Sequence, residues 1–206
     1  MILPFLHIVV TDAVASDRVF VERAQHMQEA CGESLAIHLR VRHATDRQLL
    51  AWAEALEEGA VETDGWLVVN GRVDVALAVG AEAVQLGRGH LPIDAVRDVA
   101  GESLRIGASV HDVPTADRRR LEGADYLLAG SVYHTATHPG IEPAGVALVE
   151  LLAPMSLPVI AIGGISVGRV GELRAAGAAG VAVVSAVWNA ADPVAAAAEL
   201  CRALEA

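Results

Sequence analysis

Gly80-Ala-Glu-Ala-Val-Gln-Leu-Gly87 returns twice in altered form, as Gly123-Ala-Asp-Tyr-Leu-Leu-Ala-Gly130 and as Gly177-Ala-Ala-Gly-Val-Ala-Val-Val184. In each copy a glycine follows a stretch of helical length and precedes a short apolar run. Glycine ends helices in the left-handed region because it has no Cβ to collide with the backbone. The apolar run after it reads as a strand buried on both faces, the mark of a parallel sheet. Outward from these three phrases, apolar runs alternate with Ala-rich segments along the whole chain, which is the pattern of βα units. Eight strands are expected: Leu6 to Val10, Leu35 to Leu39, Gly65 to Val69, Ala83 to Leu86, Arg105 to Ser109, Tyr126 to Ala129, Pro158 to Ile162 and Gly180 to Val184. Eight helices follow them: Asp17 to Ala30, Asp46 to Gly59, Val73 to Val79, Ile93 to Ala100, Val113 to Leu121, Val146 to Leu152, Arg169 to Ala176 and Asp192 to Leu204.

Two units separate successive copies of the repeated phrase, which puts the copies on the fourth, sixth and eighth strands. Such even spacing favours a closed (β/α)8 TIM barrel, an α/β fold, over an open doubly wound sheet. The open sheet would be supported by a Gly-x-Gly-x-x-Gly turn after the first strand, and Val10-Thr11-Asp12 stands there instead. With 206 residues, each unit has only about 26, close to the lower limit for a barrel. The expectation is therefore one compact domain over residues 1–206 with minimal loops. The longest irregular stretch is residues 130–145.

Composition narrows the function classes. The formal net charge of −11 and the lack of any Lys/Arg run argue against nucleic acid or an anionic membrane as partner, since those select basic stripes. The apolar N-terminus lacks a basic flank and is stopped by Asp12, so neither a signal peptide nor a span is expected. Cys31 and Cys201 have no metal-ligand spacing, and a reduced cytoplasmic protein is the expectation. Trp52, Trp66 and Trp188 are compatible with a homo-oligomer interface and equally with core packing.

In a TIM barrel the chemistry sits after the C-terminal ends of the strands. There the chain carries Ala161-Ile-Gly163-Gly164-Ile165 after the seventh strand and Val184-Ser185 after the eighth, where backbone N–H groups can hold phosphate without a basic residue. His38, Arg40 and Arg42 alternate along one face at the end of the second strand, so the arginines can hold an anion. Asn70 follows the third strand and Ser109 ends the fifth; both count as substrate-binding positions. The stretch Gly130-Ser-Val-Tyr-His-Thr-Ala-Thr-His-Pro-Gly140 supplies Ser131, His134, Thr135, Thr137 and His138, groups suited to binding phosphate and moving protons near neutral pH. No metal or cofactor is expected: magnesium wants carboxylate oxygens, and Asn70-Gly71-Arg72 and Gly87-Arg88-Gly89-His90 contain none.

In order along the chain, Val9-Val10-Thr11-Asp12, His38-Leu-Arg40-Val-Arg42, Val68-Val-Asn70-Gly-Arg72-Val-Asp74, Gln85-Leu-Gly87-Arg-Gly-His-Leu91-Pro92, Ile106-Gly-Ala-Ser109-Val-His111, Thr135-Ala-Thr137-His138-Pro-Gly and Ala161-Ile-Gly-Gly-Ile165 resemble the thiamine phosphate synthase and TenI superfamily. The resemblance implies a magnesium-dependent synthase pattern with an aspartate after the asparagine of the third strand and another acid after the fourth. Gly71 and His90 stand at those positions, and Arg42 and His138 stand where the synthases carry lysines. The thiazole-phosphate end, Thr135, Thr137, Gly163, Gly164, Val184 and Ser185, matches the pattern. The expectation from this contrast is a TenI-type thiazole tautomerase, an isomerase that aromatises a carboxythiazole phosphate by metal-free proton transfer. Arg40 would orient the substrate carboxylate. Some TenI members carry a catalytic histidine where this chain has Ser131, so His134 or His138 would move the proton. The alternatives are a thiamine phosphate synthase, coupling hydroxymethylpyrimidine pyrophosphate with thiazole phosphate, and a non-catalytic ligand sensor.

Overall fold

The computed structural model describes residues 2–135, 140 and 142–206. Eight parallel strands close into a barrel in sequence order: β1 (Leu6–Thr11), β2 (Leu35–Arg40), β3 (Trp66–Asn70), β4 (Ala83–Leu86), β5 (Arg105–Val110), β6 (Tyr126–Gly130), β7 (Val159–Ile162) and β8 (Gly180–Val183). β8 returns to β1 with Leu6 opposite Val181, which closes the ring. The repeated phrases fall on β4, β6 and β8. Their leading glycines Gly80, Gly123 and Gly177 have φ of 78°, 96° and 93°, the left-handed geometry expected of a helix stop.

The helices are α1 (Asp12–Ala15), α2 (Phe20–Cys31), α3 (Asp46–Thr63), α4 (Val73–Val79), α5 (Ile93–Ala100), α6 (Val113–Leu121), α7 (Val146–Leu152), α8 (Val170–Ala175), α9 (Ser185–Trp188) and α10 (Pro193–Glu205). Side chains cap three of them at the N-terminus. Thr45 and Gln48 form a reciprocal capping box on α3, Asp112 accepts from the Thr115 N–H, and Asp192 accepts from the Ala195 N–H. The starts of α3 and α6 are thereby pinned after the short loops that leave β2 and β5, and that of α10 after the loop that leaves α9. The single turns α1 and α9 were not among the expected helices, being too short to show a period. Among the described residues, no helix is long and apolar enough to cross a membrane.

Strand alternation sorts the core into two parts. Leu6, Ile8, Val10, Ile37, Leu39, Val84 and Ile106 face outward into the helix layer. Ala36, Trp66, Val68, Tyr126, Leu128, Ile160 and Ala182 fill the inside of the barrel. The inside is also polar, since His7, His38 and Gln85 are fully buried there. Room for the Tyr126 ring comes from Gly107, where a Cβ would collide with Tyr126 and with Gln85 Oε1. The tryptophans are engaged within the chain. Trp66 is inside the barrel, Trp52 meets Phe20 edge-on at 5.2 Å, and the Trp188 indole donates to the Val9 carbonyl at 3.1 Å.

Candidate functional site

A cavity of about 590 Å³ opens at the C-terminal ends of the strands, within the usual size of a small-molecule site. Eleven sequence-predicted residues meet in it: His38, Arg40, Arg42, Asn70, Ser109, Ser131, Thr135, Gly163, Gly164, Val184 and Ser185. Thr137 and His138 lie outside the described residues. His134 is exposed and is absent from the cavity wall, which corrects its expected place in the site. The reason is local. Its carbonyl lies where a Cβ on Gly164 would have to go, so the 131–134 segment is pressed against β7 by its backbone and the imidazole is left outside.

The wall from β2 to β4 is cationic. Arg40 is half-buried, and its pKa is lowered first by desolvation and then by the charge of Arg42. The Asp12 carboxylate accepts from the N–H groups of Arg42 and His43, each at 2.9 Å, and so fixes the segment that carries Arg42. Arg88 and His90, not chosen from the sequence as site residues, complete this wall. Among the described residues neither Arg40, Arg42 nor Arg88 forms an ion pair. Arg72, by contrast, is held outside the cavity by Asp46 and Asp74, each at 2.7 Å.

The floor is the buried polar column. The His7 Nε2–H donates to the Pro4 carbonyl at 2.9 Å, so His7 Nδ1 is the acceptor for His38 Nε2–H at 2.7 Å. Burial first, and the neighbouring ring second, hold His38 well below the ordinary imidazole range. Beside this pair the Gln85 amide donates to Ser109 Oγ at 3.0 Å. Asn70 Oδ1, Gln85 Oε1 and the Tyr126 hydroxyl are buried without a hydrogen-bond partner among the described residues. Of these residues, Asn70 and Gln85 line the cavity.

The wall from β6 to β8 is built on glycine. Gly163 and Gly164 have φ of 109° and 65°. A Cβ on Gly163 would sit 2.7 Å from that of Ser131, and one on Gly164 would be 2.9 Å from that of Tyr133. The sequence presents these glycines as a place for a ligand to approach the backbone, and the structure shows that they also seat the 131–134 segment. Tyr133 anchors it: its N–H donates to the Gly163 carbonyl at 3.0 Å, and its hydroxyl donates to Glu172 at 2.6 Å. His111 lines the cavity and hydrogen-bonds the Gly130 carbonyl. It was missed, although it stands two residues beyond Ser109, where strand alternation returns a side chain to the same face.

The residues present do not suit magnesium at the position the synthase pattern implies. Glu142 is the one carboxylate among the described cavity residues, and it precedes α7, across the barrel from β3 and β4. Gly71 offers no side-chain donor, and His90 offers a nitrogen, whereas magnesium requires oxygen. No cluster of three metal-ligating side chains occurs among the described residues.

Fold and site together define a (β/α)8-barrel protein with a cation-rich cavity at its strand ends. The chain belongs to the thiamine monophosphate synthase family, which matches residues 7–187. It is 38% identical over 194 residues to a thiamine-phosphate synthase of Pyrococcus abyssi, covering 93% of both chains. It is 43% identical over 173 residues to one from Salinispora tropica, covering 82% of this chain and 83% of the other. The structure of a thiamine phosphate pyrophosphorylase from Pyrococcus furiosus superposes with a TM-score of 0.86 at 34% identity, covering 98% of this chain and 95% of that one. These relatives overturn the tautomerase expectation, because similarity along nearly the whole chain runs to synthases. That expectation weighed four altered positions, Gly71, His90, Arg42 and His138, above the rest of the sequence.

Proposed function

We propose that this protein is a transferase of the thiamine-phosphate synthase type, joining a pyrimidine carried as its pyrophosphate ester to a thiazole phosphate. The observation that carries the reading is the presence of two polar poles in one cavity. Arg40, Arg42, Arg88 and His90 form one, and Ser131, Thr135, Gly163, Gly164 and Ser185 form the other across the barrel. Such a cavity suits two ligands that each bring an anion, with their rings meeting over the floor formed by His38, Asn70, Gln85 and Ser109.

In the reaction the thiazole ring nitrogen bonds to the exocyclic carbon of the pyrimidine as that carbon's bond to pyrophosphate oxygen breaks. The electron pair leaves with the pyrophosphate. The guanidinium groups of Arg40, Arg42 and Arg88 stabilise the charge that develops on it. The β6–β8 wall holds the thiazole phosphate in line, which supplies the entropic part of the rate enhancement. The free thiols Cys31 and Cys201 suit a reducing cytoplasm.

The test is a coupling assay with both halves supplied, following thiamine phosphate by chromatography. Formation of product supports the reading. A protein that binds both halves and forms none is instead a ligand sensor, a second reading favoured by the identities of Gly71 and His90.

A further inference from the structure

Two of the positions at which the chain departs from the synthase pattern are one structural unit. Gly71 follows β3 with φ of 74°, and a Cβ built on it would lie 2.6 Å from His90 Nε2 and 2.7 Å from His90 Cε1. The His90 ring therefore occupies the volume that a side chain at position 71 would need. The register that sets Asn70 beside Gln85, and the Gly71 N–H that donates to the Gln85 carbonyl at 3.0 Å, bring the two loops together. His90 Nδ1 accepts the Gly87 N–H at 2.9 Å, so the proton of the neutral ring is on Nε2. Desolvation, followed by the charges of Arg42 and Arg40, lowers the pKa of this imidazole. It is thus a neutral N–H donor of fixed orientation. The same wall carries Arg40, Arg42 and Arg88, three cations that make no ion pair among the described residues, and the charge of Arg42 bears on Arg40.

We propose that the Gly71–His90 pair replaces a divalent cation, making with Arg40, Arg42 and Arg88 a diphosphate subsite that works without metal. Three guanidinium groups match the charge of a diphosphate, and Arg binds such oxygens in bidentate fashion. The imidazole supplies a directed donor in the volume that a metal-binding side chain at position 71 would need. This inference rests on the transferase reading for the identity of the anion, but not for its independence from metal.

The test is calorimetric titration of the full chain with inorganic pyrophosphate in EDTA and in excess magnesium. Binding in EDTA within about twofold of that in magnesium is expected, and His90→Ala should weaken it about tenfold, the size of one lost hydrogen bond to a charged group. A Gly71→Asp/His90→Asp double variant should bind pyrophosphate only with magnesium present, and circular dichroism confirms that each variant is folded. His90→Gln, which keeps an N–H donor, should recover part of the loss. Wild-type binding that disappears in EDTA, no binding under either condition, or a folded His90→Ala that binds like wild type each overturns the proposal. Pyrophosphate binding in EDTA alongside a failed coupling assay would remove the transferase reading alone. Magnesium-dependent coupling with EDTA-sensitive binding would remove the subsite alone.

Discussion

His7 Nδ1 and His38 Nε2 stand 2.7 Å apart inside the barrel, and both side chains are fully buried. His38 donates to His7 only while the His7 ring is uncharged. Burial lowers the His7 pKa to about 4 and holds that of His38 well below the ordinary value. Between about 4 and 6.5 the His7 of the unfolded chain binds a proton that the folded chain refuses, so this contribution to stability is complete above pH 6.5 and is lost as pH falls toward 4. For His7 the loss is on the order of 3 kcal/mol. The urea midpoint of the wild type should therefore fall relative to that of His7→Gln between pH 7 and 4.5. A constant difference between the two proteins would show that the pair is not a buried neutral one.

Glu57 has the opposite sign. Its side chain is buried in α3 with Oε2 unpartnered among the described residues. Burial, and then the charge of Glu82, raise its pKa to about 8. The folded chain thus binds the extra proton between pH 4.5 and about 8, and stability declines as pH rises through that window. Glu57→Gln should gain on the wild type with increasing pH, by roughly 2 kcal/mol at pH 8.5 and little at pH 5. Thermal melts of both proteins across that range are the measurement, and a constant difference would contradict it.

Gly163 and Gly171 are one turn of backbone apart in purpose. At Gly163 a methyl group would meet Ser131 at 2.7 Å with φ of 109°, whereas at Gly171, exposed within α8, nothing lies within 4 Å. Gly163→Ala should cost about 2–3 kcal/mol through strain and collision and should abolish coupling. Gly171→Ala should stabilise by about 0.5–1 kcal/mol, since alanine suits a helix interior better than glycine. Denaturant unfolding of the two variants separates them, and equal effects would mean that the close approach of the 131–134 segment is not maintained in solution.

The barrel was legible because parallel strands buried on both faces leave unbroken apolar runs, and because Gly80, Gly123 and Gly177 mark helix ends. Periodicity could not reveal α1 or α9, which are single turns. Most of the cavity's polar lining was legible from strand ends and the loops that follow them, as Arg40, Asn70, Ser109 and Ser185 show. What escaped depends on how loops meet. Gly71 and His90 read as two separate losses until β3 and β4 are placed in register, and then become one interlocked pair. His134 was chosen for its chemistry, but the contact of its backbone with Gly164 decides where its ring goes, and that contact is between distant parts of the chain. The choice between isomerase and transferase failed for a different reason. Residues at ligand positions show what chemistry has changed, whereas similarity along the whole chain shows which family surrounds the change.

Arg169 ties the β6–β8 wall together from outside. Its guanidinium lies 4.0 Å from the centre of the Tyr133 ring and also donates to the Gly164 carbonyl. Glu172 accepts from the Tyr133 hydroxyl, and burial followed by that bond raises the phenol's pKa to about 12. The segment bearing Ser131 and Thr135 is thus gripped at its midpoint by two residues that do not line the cavity. Because Arg169 is exposed, its truncation should cost only about 0.5–1 kcal/mol of stability, a shift of roughly 1–4 °C in Tm. Its effect on binding should be larger, because a loosened wall loses the alignment that holds the thiazole phosphate. Arg169→Ala is expected to raise the KM for thiazole phosphate about fivefold or more while leaving that for the pyrimidine ester unchanged, and Tyr133→Phe, which keeps the ring under Arg169, should do so less. Steady-state kinetics with each substrate varied in turn provide the check. An equal rise in both KM values would point to general loosening of the barrel mouth, and no rise in either would show that the clamp plays no part in holding the substrate.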